Sequence, residues 1–228
     1  MNQEGVVIVQ VFLLMTGLVA SIAVFIWRQR AGMRDRRITD YVFPVSVSRK
    51  VKATYPNLDA AQVRMVMKGL REYFLISAAA GGRMVSMPSK AVDVAWHEFI
   101  ICTRAYQKFC QAVFGRFLHH TPSEAMRRPT MAQDGIKRAW RLSCGRENID
   151  PRRPDRLPLL FAIDERLQIA DGYRYALDCS QKGNVAYGDI YCASHIGCGG
   201  GCAGWSTDAD SGCSSDSGCG GGCGGGGD

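Results

Sequence analysis

The sequence predicts a mostly α protein in three parts: a single N-terminal transmembrane helix, a small helical domain, and a disordered Gly/Cys-rich C-terminal tail. Three observations carry this reading. A run of 23 uncharged residues, GVVIVQVFLLMTGLVASIAVFIW, fills positions 5–27. Apolar residues then recur at alternating spacings of four and three, the period of helices that bury one face. Finally, 14 of the 26 glycines lie between Gly197 and Gly227, and six of the ten cysteines lie at or beyond Cys192. Charge divides the same way. Residues 1–191 hold 28 basic and 17 acidic side chains, a net +11, whereas residues 192–228 carry −4 from Asp208, Asp210, Asp216 and Asp228. The uneven split excludes a uniformly disordered chain, a collagen and a compact disulfide miniprotein. The expected organisation is a short flank (1–4), the transmembrane helix (5–27), a basic juxtamembrane linker (28–40), the helical domain (41–185) and the tail (186–228).

The apolar run is long enough to cross a bilayer. As a helix it spans roughly 34 Å, against about 30 Å of hydrocarbon. A buried globular helix needs no such unbroken run. A cleavable signal peptide is a poor fit, because MNQE offers only Glu4 before the run and no A-x-A site follows. Arg28, Arg30, Arg34, Arg36 and Arg37 crowd the C-terminal side, while no Lys or Arg precedes the run. The positive-inside rule then puts Met1 outside and the bulk of the chain in the cytoplasm, at an inner or plasma membrane. The same arginines face anionic head groups, each contributing on the order of 1 kcal/mol near the surface.

Beyond Tyr41-Val-Phe-Pro-Val-Ser-Val, Asn57 and Asp59 offer N-caps for a helix with Val63, Met67, Leu70, Phe74 and Ser77 on one face. Gly81-Gly82 stops it. Pro88-Ser89 opens the next helix, whose inward seam reads Val92, Trp96, Phe99, Thr103, Tyr106, Cys110, Val113, ending at Gly115. A shorter helix is expected from about Ala132 to Ser143, closed by Gly145. Pro158 is expected at the first position of another, LPLLFAIDERLQI. Val185 to Tyr191 is the one candidate strand.

Residues 91–122, AVDVAWHEFIICTRAYQKFCQAVFGRFLHHTP, carry Asp93-x-x-Trp96-His97, a Tyr106-x-x-Phe109-Cys110 step and a Gly115-x-Phe117-Leu118-His119-His120 exit. In these features, continuing through WRLSCGREN and LPLLFAIDERL, the chain resembles the glycine-rich domain-containing protein-like family in its bacterial form, over roughly residues 57–180. The resemblance implies a helical domain with no agreed catalytic activity. Plant relatives join that domain to glycine-rich tails and sometimes to RNA-binding segments. No RNA-binding segment is visible here, and the N-terminal anchor departs from the soluble plant pattern.

On a helix Asp93 and His97 stand four apart on one face, and His119 and His120 follow the same seam. One reading is a His97/His119/His120 site, supported by Asp93, that holds a metal or moves protons. The plainer one makes His97 part of a helix–helix contact beside Trp96 and His119-His120-Thr-Pro a structured turn. HExxH and G-x-S-x-G are both absent. Cys110, on the seam, reads as a small buried hydrophobe. Arg127, Arg128, Arg152, Arg153 and Arg156 read as a solvated basic face, with no clear nucleic-acid signal.

The tail contains a repeat. Cys192-x5-Cys198-x3-Cys202 recurs 21 residues later as Cys213-x5-Cys219-x3-Cys223. Reduced cytoplasmic thiols at this spacing are candidate ligands for a soft metal, zinc or copper(I), with His195 as a fourth ligand to the first set and Asp216 at the equivalent place in the second. A flexible tethering tract is the alternative, since neither spacing matches a standard zinc module. The sequence thus offers a membrane-anchored cytoplasmic interaction module with an unidentified protein partner. The alternatives are a metal-binding or metal-sensing protein using the tail and, third, a His-based enzyme.

Overall fold

A computed structural model describes residues 3–120, 129–177, 190–192 and 196, with backbone alone at 3–11, 129–132 and 190–192. Seven helices and two short strands run in order among the described residues: α1 (Gln3–Thr39), α2 (Val45–Thr54), α3 (Ala60–Ala79), α4 (Lys90–Ile101), α5 (Thr103–Phe114), α6 (Pro129–Arg146), α7 (Leu159–Arg166), β1 (Arg174–Ala176) and β2 (Ile190–Cys192). The strands pair in parallel, Tyr175 opposite Tyr191. Of the stretch expected as a strand, residues 190 and 191 pair in this way, and residues 185–189 lie outside the described residues.

Helix α3 is the hub, packed against α1, α2, α4, α6 and α7. Asp59 caps it through a reciprocal box with Gln62, the two bonds measuring 2.7 and 2.8 Å. Its second half is buried almost all round, from Leu70 and Tyr73 through Ala78. Val63 and Met67, expected on the buried face, are only partly covered. Gly69 sits where α3 meets α4 and α7, and an added Cβ there would lie 2.7 Å from a Val92 methyl. Around Phe74 gathers an aromatic core: Phe109 at 4.8 Å between ring centroids, Tyr73 and Phe99 at 6.0 Å, and Trp96 edge-on at 6.4 Å. Each such pair contributes about 0.5–1.5 kcal/mol beyond its burial.

Helix α1 has two halves. The side chains from Phe12 to Trp27 stand exposed, and the helix is long and apolar enough to cross a membrane. The polar groups within that stretch are turned back on their own helix, Thr16 Oγ1 to Leu13 O and Ser21 Oγ to Gly17 O, both at 2.9 Å. The second half packs on α3 and α5. The segment expected as a linker, 28–40, is instead the last third of this helix. Ile38 is 0% exposed, the Arg37 guanidinium donates to Ala112 O at 2.9 Å, and Arg71 donates to the carbonyls of Ile38 and Tyr41 at its C-terminal end. Fixed partners in the domain hold these residues in helix where their composition alone reads as a basic linker.

Three helix boundaries also differ from expectation. The seam from Val92 to Val113 is two helices, because Cys102 leaves the helical region (φ −72°, ψ 55°). Thr103, expected on the inward face, is exposed. The bend returns Tyr106 to the core, 5.2 Å from Phe99, while the four-three spacing stays in register on both sides. Helix α6 starts earlier than Ala132 and runs through Gly145 to Arg146; Asn148, in the left-handed region at φ 55°, follows its end. Pro158 stands at the N-cap of α7 rather than at its first turn, and α7 stops at Arg166, short of Gln168-Ile169.

Candidate functional site

Helix α4 carries the chemistry, and its N-terminus is held by a residue from α7. Asp164 is 2% exposed and accepts four hydrogen bonds: from Ser89 Oγ (2.6 Å), Lys90 N (2.7 Å), Tyr173 N (3.0 Å) and Ala91 N (3.2 Å). Ser89 Oγ in turn accepts from Val92 N at 3.1 Å. A carboxylate thus sits at the positive end of α4, where the orphan amides and the helix dipole favour it. Burial raises the carboxyl's pKa above its ordinary value, against the pull of those four donors.

One turn along, Asp93 projects from α4 and meets two imidazoles. His97, four residues on, places Nδ1 3.5 Å from Asp93 Oδ2. His120 Nε2 lies 3.0 Å from Asp93 Oδ1, and His120 Nδ1 lies 3.3 Å from His97 Nε2. One donor atom from each of the three residues lies within 4.8 Å of the others.

His120 comes from the segment after α5. Gly115, at φ 67°, ends that helix in the left-handed conformation that suits glycine, and the chain folds back over α4. Tyr106 anchors the return. Its hydroxyl accepts from Trp96 Nε1 at 3.1 Å and donates to Leu118 O at 2.6 Å. Burial drives the Tyr106 phenol far above its ordinary pKa, so it stays a donor. The edge of Trp96 then meets the His120 ring at 4.5 Å.

The structure brings together Asp93, His97 and His120 but not His119. That side chain is exposed and touches Phe117, with ring centroids 5.0 Å apart. Of the pair, His120 alone reaches α4. The tail candidates Cys198, Cys202, Cys213, Cys219, Cys223 and His195 lie outside the described residues, as does the side chain of Cys192. Cys110 is buried in the core, and burial raises its thiol pKa. Asp164 is missing from the sequence-based candidates. Its signal was present: it occupies an inward position between Leu160 and Leu167, a carboxylate on an apolar stripe.

A family model described as UCP032817-like matches residues 33–196, well over half the chain. The chain belongs to the UCP032817-like family. The matched span takes in every described residue of the UCP032817-like domain's core, from Ile38 to Ile196, and all three residues of the Asp93 cluster. No curated protein and no solved structure matches the chain.

Proposed function

We propose that the chain is a single-pass membrane protein, N-terminus outside, that holds a helical interaction domain at the cytoplasmic face of an inner or plasma membrane and trails a flexible Gly/Cys-rich tail. The observation that carries this reading is the continuity of α1, whose exposed apolar half runs without a break into a half locked onto α3 and α5. Anchor and domain are therefore joined by continuous helix, which would present the domain to a protein partner close to the bilayer surface. The five arginines from Arg28 to Arg37 support the orientation. The motif resemblance to the glycine-rich domain-containing protein-like family is part of the same proposal and fits a docking role better than catalysis.

Two measurements test this. In membranes washed with alkaline carbonate the chain stays with the lipid; release into the wash would overturn the anchor. An impermeant maleimide added to intact cells leaves the tail thiols unlabelled, and labels them once the membrane is opened. Labelling from outside would reverse the topology.

The 21-residue cysteine repeat favours a second reading, capture of zinc or copper(I) by the tail.

A further inference from the structure

We propose that Asp93, His97 and His120 bind one divalent transition-metal ion of the zinc class, with at least one coordination position left open to solvent. This goes beyond the tethering role and does not depend on it, nor on the tail cysteines.

The donor set is the first argument. Two neutral imidazoles and one carboxylate are the ligands of open zinc centres and of the facial triads that hold iron(II). Spacing is the second. Zinc bonds of about 2.0–2.1 Å in tetrahedral geometry set neighbouring donors roughly 3.3 Å apart. The contacts of 3.0, 3.3 and 3.5 Å join six different atoms, both oxygens of Asp93 and both ring nitrogens of each histidine. One donor atom from each residue lies within 4.8 Å of the others, so turns of the carboxylate and the two rings close that set onto one ion.

Support for the ligands is the third argument. Asp164 and Ser89 pin the first turn of α4, which fixes Asp93 and His97 on one helical face. Trp96 packs edge-on against His120, and Tyr106 clamps the chain at Leu118, two residues earlier. A metal would thus ask for side-chain turns on a backbone already held, and would not have to order a loop.

The exposures fit an open centre. The side chain of His120 is 14% exposed and that of Asp93 27%, whereas that of His97 is 50% exposed and faces water. A clamp that only closed the chain after α5 would need Asp93 and His120 alone. His97 braces both members of such a clamp, at 3.5 Å from Asp93 and 3.3 Å from His120, and is also the third donor that a metal site needs. Three protein ligands with a solvent-facing side match the catalytic rather than the closed structural type.

The test uses the full chain in detergent with Cys192, Cys198, Cys202, Cys213, Cys219 and Cys223 all changed to Ser, so that the tail cannot compete. We expect this chain to bind one equivalent of Zn2+. Its Co2+ derivative should show visible ligand-field bands without a sulfur charge-transfer band. Loss of an outer-shell partner alone weakens metal binding about 10–100-fold, so His97→Ala, His120→Ala and Asp93→Asn should each weaken Zn2+ binding on the order of a hundredfold or more. His119→Ala should leave it unchanged. His97 is half exposed, so His97→Ala keeps the fold, checked by unchanged circular dichroism without metal; it decides the matter if His120→Ala unfolds. The proposal is overturned if the serine-substituted chain binds no Zn2+, if its Co2+ spectrum shows thiolate ligation, or if His97→Ala binds as tightly as the parent.

Discussion

Asp93 and Asp164 belong to one helix start and do opposite things. Both carboxylates serve α4, Asp93 from its first turn and Asp164 across from α7, yet their partners differ in kind. Asp164 is buried and meets three backbone amides and a serine hydroxyl, donors that cannot leave. Asp93 is partly exposed and meets two imidazoles, which are side chains able to trade a proton or a carboxylate for a metal. The contrast teaches that a carboxylate's role is set by whether its partners are fixed. Fixed donors make a structural lock; exchangeable ones make a site.

The comparison breaks first at Asp164. Changing Asp164→Ala leaves the Lys90, Ala91 and Tyr173 amides and the Ser89 hydroxyl without their acceptor in a buried place. We expect a loss of about 4 kcal/mol in denaturant unfolding, since each stranded buried donor costs about 1–3 kcal/mol and some of the four will find water. A loss under about 1 kcal/mol would show that the lock is not structural.

Asp164→Asn is milder, at about 2 kcal/mol, because the amide oxygen can still accept on one side while its NH2 confronts donors on the other. Its pH dependence is the sharper reading. Burial raises the folded pKa of Asp164 above the ordinary 3.8, so between those two values the folded chain holds more protons than the unfolded one. Stability contributed by Asp164 is therefore complete below pH 3.8 and falls as pH rises through the raised value, then levels off. The gap between the native chain and Asp164→Asn should narrow over that rise. A widening gap would mean that the four donors outweigh burial.

Tyr106→Phe probes the link between lock and site. It removes one hydroxyl that accepts from Trp96 in a buried contact and donates to Leu118 in a partly buried one. Thermal or urea unfolding should show a loss of about 1–2 kcal/mol, and Zn2+ affinity should fall about tenfold as His120 loosens. A stability loss with unchanged Zn2+ affinity would show that Trp96 alone positions His120.

Much of this was legible from periodicity and punctuation. The helix stops at Gly81-Gly82 and Gly115 and the cap at Asp59 follow from local backbone chemistry, which sequence encodes directly. The break at Cys102 does not, because no glycine or proline marks it and the four-three spacing continues in register on both sides. The helical state of residues 28–40 was hidden for a related reason. Composition registers arginines as a lipid-facing flank, while the groups that hold them, Ala112 O and the Arg71 side chain, lie far along the chain. At the site, Asp93 and His97 share a helix face and were readable as a pair. The choice between His119 and His120 was not, since it depends on how the chain leaves Gly115 and where Tyr106 catches it.

Asp93→Asn should leave stability nearly alone, within about 0.5–1 kcal/mol, because Asp93 is partly exposed and exposed charge contacts contribute little. Its effect should fall instead on the imidazoles. Asparagine keeps the shape but loses the charge and one acceptor, so it can accept from one ring and not from both. In a 15N-correlated NMR spectrum of the imidazoles, both His97 and His120 should shift, while the peak of exposed His119 stays in place. If only His120 moved, the cluster would be a two-residue clamp, and Asp93 would belong with Asp164 as a structural group. If both moved, the contrast between the two carboxylates would hold at the level of single protons.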